Sequence, residues 1–205
     1  GYHCSSFTRR VFASSDKEGG MGLLDDILAH EVFPAVGCTE PVSCAYACAA
    51  AVEALGAAPE RLELAVDPAT FKNGAAVTIP NSGGQKGNVI AAALGAVIAR
   101  PALKLEVLKT VTPEVLDRAN RLVEEGRLAY RCLADEKEFR VEVVATAGTS
   151  QVRCVVSEGH TQITCLERDG RSLLPEGVKN AAGHRAYREA LRGMTLEQVM
   201  REAVH

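Results

Sequence analysis

The chain has 205 residues and a formal net charge of −3, with 47% apolar and 24% charged residues, which leaves room for one domain or two small ones around a real core. That charge balance excludes the clustered Lys and Arg excess of a nucleic-acid footprint. No run approaches the roughly 20 apolar residues of a membrane span, because the longest, Val89 to Ala99, is short and contains a glycine.

In chain order, residues 1–20 read as an extension or tag, disordered and outside the fold. From Gly22 to Phe33, Leu23, Leu24, Ile27, Leu28 and Val32 follow helical spacing, and Pro34 ends that helix. After the connection "AVGCTEP", Pro41 suits the first turn of a second helix, capped by Thr39 or Glu40. This helix is expected to run to about Leu55 and close on Gly56; its "CAYACAAAVEA" predicts a buried, tightly packed element. "RLELAV" (61–66) alternates as a strand, "FKNG" reads as a turn and "AAVTIP" (75–80) as another strand. The glycine-rich "NSGGQKG" leads into a helix from about Asn88 to Ala99, and "LKLEVLKTV" reads as a third strand. Thr112 with Pro113 and Glu114 marks a helix start, the helix ending near Glu125-Gly126. "LAYRCL", "FRVEVVATA", "SQVRCVVSE" and "TQITCLERDG" predict an antiparallel meander, followed by a helical tail broken at Gly193 and capped again by Thr195. The class is α+β: a buried Ala-rich helix and others packed with a mixed sheet, plus the meander. The expected division is 21–128, a substrate-facing region, and 129–205, the meander with C-terminal helices.

Seven cysteines (4, 38, 44, 48, 132, 154 and 165) form no CxxC pair, and the odd count predicts reduced thiols in the cytoplasm. Cys38 lies just before a helix N-terminus, where unpaired N–H groups favour thiolate; a small buried cysteine in a tight turn fits the position equally well. Cys44 and Cys48 share a helical face, where cysteine acts as a small apolar residue, and C-x5-C-x3-C matches no standard zinc site. The loop with Asn81, Ser82, Gly83, Gly84 and Lys86 could form a nest of N–H groups for a carboxylate, or be a plain tight turn; it is not a Walker A loop. Lys72, followed by Asn73, could grip a carboxylate, form a Schiff base, or be a solvated turn residue. His160, in a hairpin turn, could bind substrate or face water.

"EVFPAVGCTEPVSCAYACAAA", "FKNGAAVTIPNSGGQKGNVIAAALGA", "LEVLKTVTPEVLDRANRLVEEGRL" and "VVSEGHTQI" together resemble the N-terminal half of the L-cysteine desulfidase and L-serine dehydratase alpha-subunit-like family. "GCTEP" and "KNG" before the glycine loop are the most specific parts of the match. The resemblance implies an amino-acid lyase that converts L-cysteine to pyruvate, ammonia and sulfide, or L-serine to pyruvate and ammonia. It implies a [4Fe–4S] cluster whose further ligands lie in a missing C-terminal half or second subunit, so this chain alone is expected to hold no cluster and to be inactive. Cys38 would be the catalytic residue, as the Cα base or as a metal (Fe–S) ligand. Thr39, Glu40, Lys72, Asn73, Asn81, Ser82, Gly83, Gly84, Lys86 and His160 would bind the small amino-acid substrate. No nucleic acid or membrane partner is expected, whereas a homo-oligomer fits an Ala-rich helix short of partners. Two other readings compete: a non-catalytic amino-acid-binding or regulatory module, and a metal-free thiol enzyme using Cys38 with His160.

Overall fold

The computed structural model describes residues 38–175 and 189–202. The expectations for the extension, for the helix over 22–33 and for the first part of the tail lie outside the described residues. Helix α1 (Thr39–Leu55) is built almost entirely of small residues and is buried along nearly all its length. It ends where Gly56 adopts φ 72, the left-handed conformation that lets the cap N–H reach the Val52 carbonyl. Thr39 and Glu40 are its first residues rather than its cap. Cys38 holds the N-cap position, in extended backbone and with no side-chain capping bond.

Strand β1 (Arg61–Val66) follows as its alternation predicts. "FKNG", however, completes helix α2 (Pro68–Gly74) instead of forming a turn. The determinant is the preceding Asp67-Pro68: the Asp67 carboxylate accepts the Thr70 N–H at 2.9 Å, and Pro68 needs no acceptor in the first turn. "AAVTIP" is not a strand either, and contributes one isolated bridge, Thr78 with Lys86. The segment folds back on its own glycine loop, with Gly87 N–H on the Val77 carbonyl (3.0 Å) and Ile79 N–H on that of Gln85 (2.9 Å). Helix α3 (Asn88–Ile98) then starts where predicted.

The expected third strand is a 3₁₀ segment, Pro101–Thr110, broken at Lys104 (φ 47, ψ −126). Its buried Leu105 and Leu108 stand three residues apart, one 3₁₀ turn, and that spacing seats them in the core beside α1. Helix α4 (Pro113–Glu124) is capped by Thr112, whose hydroxyl accepts the Val115 N–H at 3.4 Å.

Strands β2 (Leu128–Cys132), β3 (Arg140–Ala147), β4 (Ser150–Ser157), β5 (Ile163–Arg168) and β6 (Arg171–Ser172) complete a six-stranded sheet with β1, in the order β2-β1-β3-β4-β5-β6. The antiparallel meander covers β3 to β6, but β2 departs from it and pairs parallel with β1, so β1 and the later strands share one sheet. Helix α1 packs between α3 and the face of β3 and β4. Its approach to α3 is a backbone contact: a Cβ added to Gly95 would lie 2.0 Å from the Ala45 carbonyl oxygen. The last described helix, α5 (Leu196–Glu202), follows a reciprocal cap in which Thr195 and Gln198 each bond the other's backbone N–H. No single helix among the described residues is long and apolar enough to cross a membrane.

Candidate functional site

The pairing Arg140 with Ser157 brings the start of β3 and the end of β4 to the same strand-end edge of the sheet, where β1 also ends. Asp67 ties this edge together, since its carboxylate accepts the Arg140 N–H (3.0 Å) as well as that of Thr70. Burial opposes ionisation of Asp67, but the bonds from Thr70, Arg140 and Ala69 outweigh it and hold the carboxyl below its ordinary value.

The loop from β4 to β5 reaches from this edge onto the first turn of α1 and places His160 there. Its imidazole meets the Thr39 hydroxyl at 3.3 Å through Nε2 and the Ser43 hydroxyl at 3.2 Å through Nδ1. Ser43 also donates to the His160 carbonyl at 2.9 Å. Phe139, the residue before β3, closes on the ring edge-on, with centroids 4.5 Å apart. The predicted residues Cys38, Thr39, Glu40 and His160 are thus gathered at one helix end, although Thr39 and His160 are 121 positions apart. Ser43 is the member that sequence reading missed. The available signal was its i+4 spacing from Thr39, which puts both hydroxyls on one helical face.

Cys38 is exposed and stands at the N-cap. By the geometry of any α-helix, the Thr39 and Glu40 N–H groups beside it have no intrahelical acceptor. Cys44 and Cys48, one and two turns further in, are fully enclosed, as is Cys154 on β4. Burial pushes all three thiols up, and for Cys44 the Asp67 and Glu40 carboxylates add to it. They behave as the small apolar residues that their helix or strand requires.

The glycine loop is closed by Ser82 and tied to the 3₁₀ segment by Asn81. Ser82, 1% exposed, donates to the Ile79 carbonyl at 2.7 Å and lies 3.2 Å from that of Gln85. Asn81 (φ 58) donates to the Leu108 carbonyl at 3.2 Å. Gly83 and Gly84 are exposed at φ 67 and 88 with open space where side chains would be, and Lys86 is exposed. Lys72 and Asn73 are exposed on α2. Beneath them Asn88 donates to the Thr70 carbonyl and to the Tyr130 hydroxyl, both at 2.9 Å, while Phe71 stacks on the Tyr130 ring. Burial pushes the Tyr130 phenol up to about 12. Asn88 Oδ1 is buried without a hydrogen-bond partner among the described residues, pressed against Gly74, where a Cβ would lie 2.0 Å from it.

A [4Fe–4S] cluster needs about four thiolate-type donors converging on one point. Among the described residues no three His, Cys, Asp or Glu side chains converge in that way. The enclosed thiols of Cys44, Cys48 and Cys154 are turned into the core, so these residues alone do not fit a cluster. What the arrangement can do is present one accessible thiol at a helix N-cap, with a hydrogen-bonded imidazole on the same helix end.

An α+β fold with an exposed thiol at a helix N-cap, and an imidazole bonded to hydroxyls of the same helix end, is the class that the geometry defines. The chain is similar to UPF0597 proteins: 46% identical over 182 residues to one of Geobacter sulfurreducens and 36% identical over 180 residues to one of Elusimicrobium minutum, each alignment covering 88% of this chain and 42% of the relative. A UPF0597 protein of Desulfatibacillum aliphaticivorans is 46% identical over 125 residues, 60% of this chain and 28% of the relative. The chain therefore spans about two fifths of the length of the first two of these curated relatives. Their names state neither an activity nor a ligand. No family model and no solved structure matches the chain.

Proposed function

We propose that this chain is the substrate-facing part of a cytoplasmic lyase that removes the β-substituent of a small amino acid, L-cysteine or L-serine. The observation that carries the reading is the exposed thiol of Cys38 at the N-cap of α1, one residue from a threonine bonded to His160. The Cα proton of an amino acid needs a base, and the substrate carboxylate needs donors. Cys38 supplies the first. The free amides of Thr39 and Glu40, with Lys72, Lys86 and the open backbone at Gly83 and Gly84, are the candidates for the second.

Cys38 takes the role of base in this proposal; its alternative role is as one ligand of a cluster completed by donors outside this chain. The cluster of this enzyme class is assigned to polypeptide that this chain does not contain. In the overall reaction, loss of the Cα proton and of sulfide or hydroxide leaves an enamine, which hydrolyses to pyruvate and ammonia.

The test joins this chain to the polypeptide that completes the length of its relatives and measures pyruvate release anaerobically. Cys38→Ala is expected to lower turnover by about 10²-fold or more, the usual contribution of a positioned base. Unchanged turnover in Cys38→Ala would remove the thiol from the mechanism. Tight calorimetric binding of L-cysteine or L-serine to a chain whose completed form shows no lyase activity would make this a binding module instead.

A further inference from the structure

Ser43 is fully buried, and its single hydroxyl proton decides how the neighbouring imidazole is protonated. Its oxygen lies 2.9 Å from the His160 carbonyl oxygen and 3.2 Å from His160 Nδ1. A carbonyl oxygen only accepts, so a contact of that length between two oxygens requires the serine proton between them. Ser43 Oγ then has only lone pairs to offer Nδ1, and Nδ1 must carry a hydrogen. In the neutral ring that leaves Nε2 as the unprotonated nitrogen, and Nε2 faces the Thr39 hydroxyl at 3.3 Å. Thr39 must therefore donate to the ring.

We infer that Thr39, His160 and Ser43 form a directed proton relay, in which Ser43 is a positioning residue that fixes His160 as its Nδ1–H tautomer and Thr39 Oγ is the outer, proton-accepting atom. When a proton reaches Thr39 Oγ from the site, the hydroxyl hydrogen passes to Nε2 and the ring becomes imidazolium. The positive charge is then held by Nδ1–H on Ser43. No atom of the chain is oxidised or reduced. The same chemistry gives the relay a ligand preference: an outer hydroxyl whose hydrogen is committed to Nε2 presents lone pairs, and so pairs with a donor such as a substrate ammonium. The carboxylate is left to the backbone amides. The tautomer rests on hydrogen-bond geometry alone, whereas the use of the relay on an amino acid rests on the lyase reading above.

The experiment is nitrogen-15 NMR of the imidazole rings in the full 205-residue chain, with no substrate or cluster added. His160 is identified by the signal missing from His160→Gln. At a pH where the ring is neutral, wild type is expected to show Nδ1 protonated and Nε2 bare. A protonated Nε2, or an even mixture, would overturn the relay without touching the assignment of Cys38. Ser43→Ala is expected to lose the bias toward Nδ1–H. Thr39→Val is expected to keep the bias and to shift the Nε2 resonance alone, as its hydrogen bond is lost. A serine with a packing role only would leave the wild-type ring in its ordinary preference for Nε2–H, so the relay is testable even if the Ser43 variant fails to fold.

Discussion

Asp67 shows how much structure one side chain can hold. It caps α2 through Thr70 and joins β1 to β3 through the Arg140 amide, at 3% exposure. Its carboxyl is held below the ordinary value, so the folded state binds the proton more weakly than the unfolded chain does. The stability this supplies is fully present above the unfolded pKa, about 3.9, and is lost as the pH falls through the depressed folded value. Asp67→Asn keeps a capping oxygen for Thr70 but turns an amide NH2 toward the Arg140 N–H, and the lost acceptor is expected to cost about 1–3 kcal/mol at neutral pH. It is also expected to flatten the acid limb of stability, measured by urea unfolding across a pH series. An acid limb as steep as wild type would mean that Asp67 does not carry this linkage. The Asp67-Pro68 pair was legible as a helix start and outweighs the turn signal of Asn73-Gly74, because a cap with a proline behind it satisfies the first turn of α2 locally.

Among elements, the contact between α1 and α3 sets the tightest constraint. The run of alanines in α1 and Gly95 in α3 allow the two backbones to touch at Ala45. Gly95→Ala would gain about 1 kcal/mol of helix propensity. Against this, a methyl placed 2.0 Å from a carbonyl oxygen forces the helices apart, and overpacking of this kind costs about 1–3 kcal/mol and occasionally more. Calorimetric melting is expected to show a net loss; a variant as stable as wild type would mean that the helices are not in backbone contact. The 3₁₀ segment over 101–110 carries the opposite lesson. Its sequence alternates like a strand, but β1 is already flanked by β2 and β3, and the segment instead buries Leu105, Val107 and Leu108 in the core beside α1. Alternation marks a half-buried extended run only where a ladder is available to receive it.

For the whole molecule, the separation of exposed from enclosed thiols gives a direct measurement. Native protein treated with iodoacetamide is expected to label Cys38 well before Cys44, Cys48 and Cys154, which stay protected until global unfolding because each is enclosed and its thiol is pushed up by burial. Peptide mapping that finds Cys44 modified as fast as Cys38 would contradict the packing of α1. The amino-acid sequence by itself determined the α+β class, the extents of α1, β1, α3 and α4, the strands of the later meander and the burial of the Ala-rich helix. These follow from local pattern, caps and glycine placement, which act within a few residues. It also marked Cys38 and His160, and joined them in one of the competing readings, without Ser43. Only the tertiary structure decided that the β4 to β5 loop lays His160 on Thr39 and Ser43, that β2 runs parallel beside β1, and that Ser82 closes its own loop while Asn81 ties it to the 3₁₀ segment. The physical reason is that each of these depends on contacts across the sheet edge or between helices, where the choice of partner is set by which surfaces are left to bury and which hydrogen-bonding groups remain unpaired.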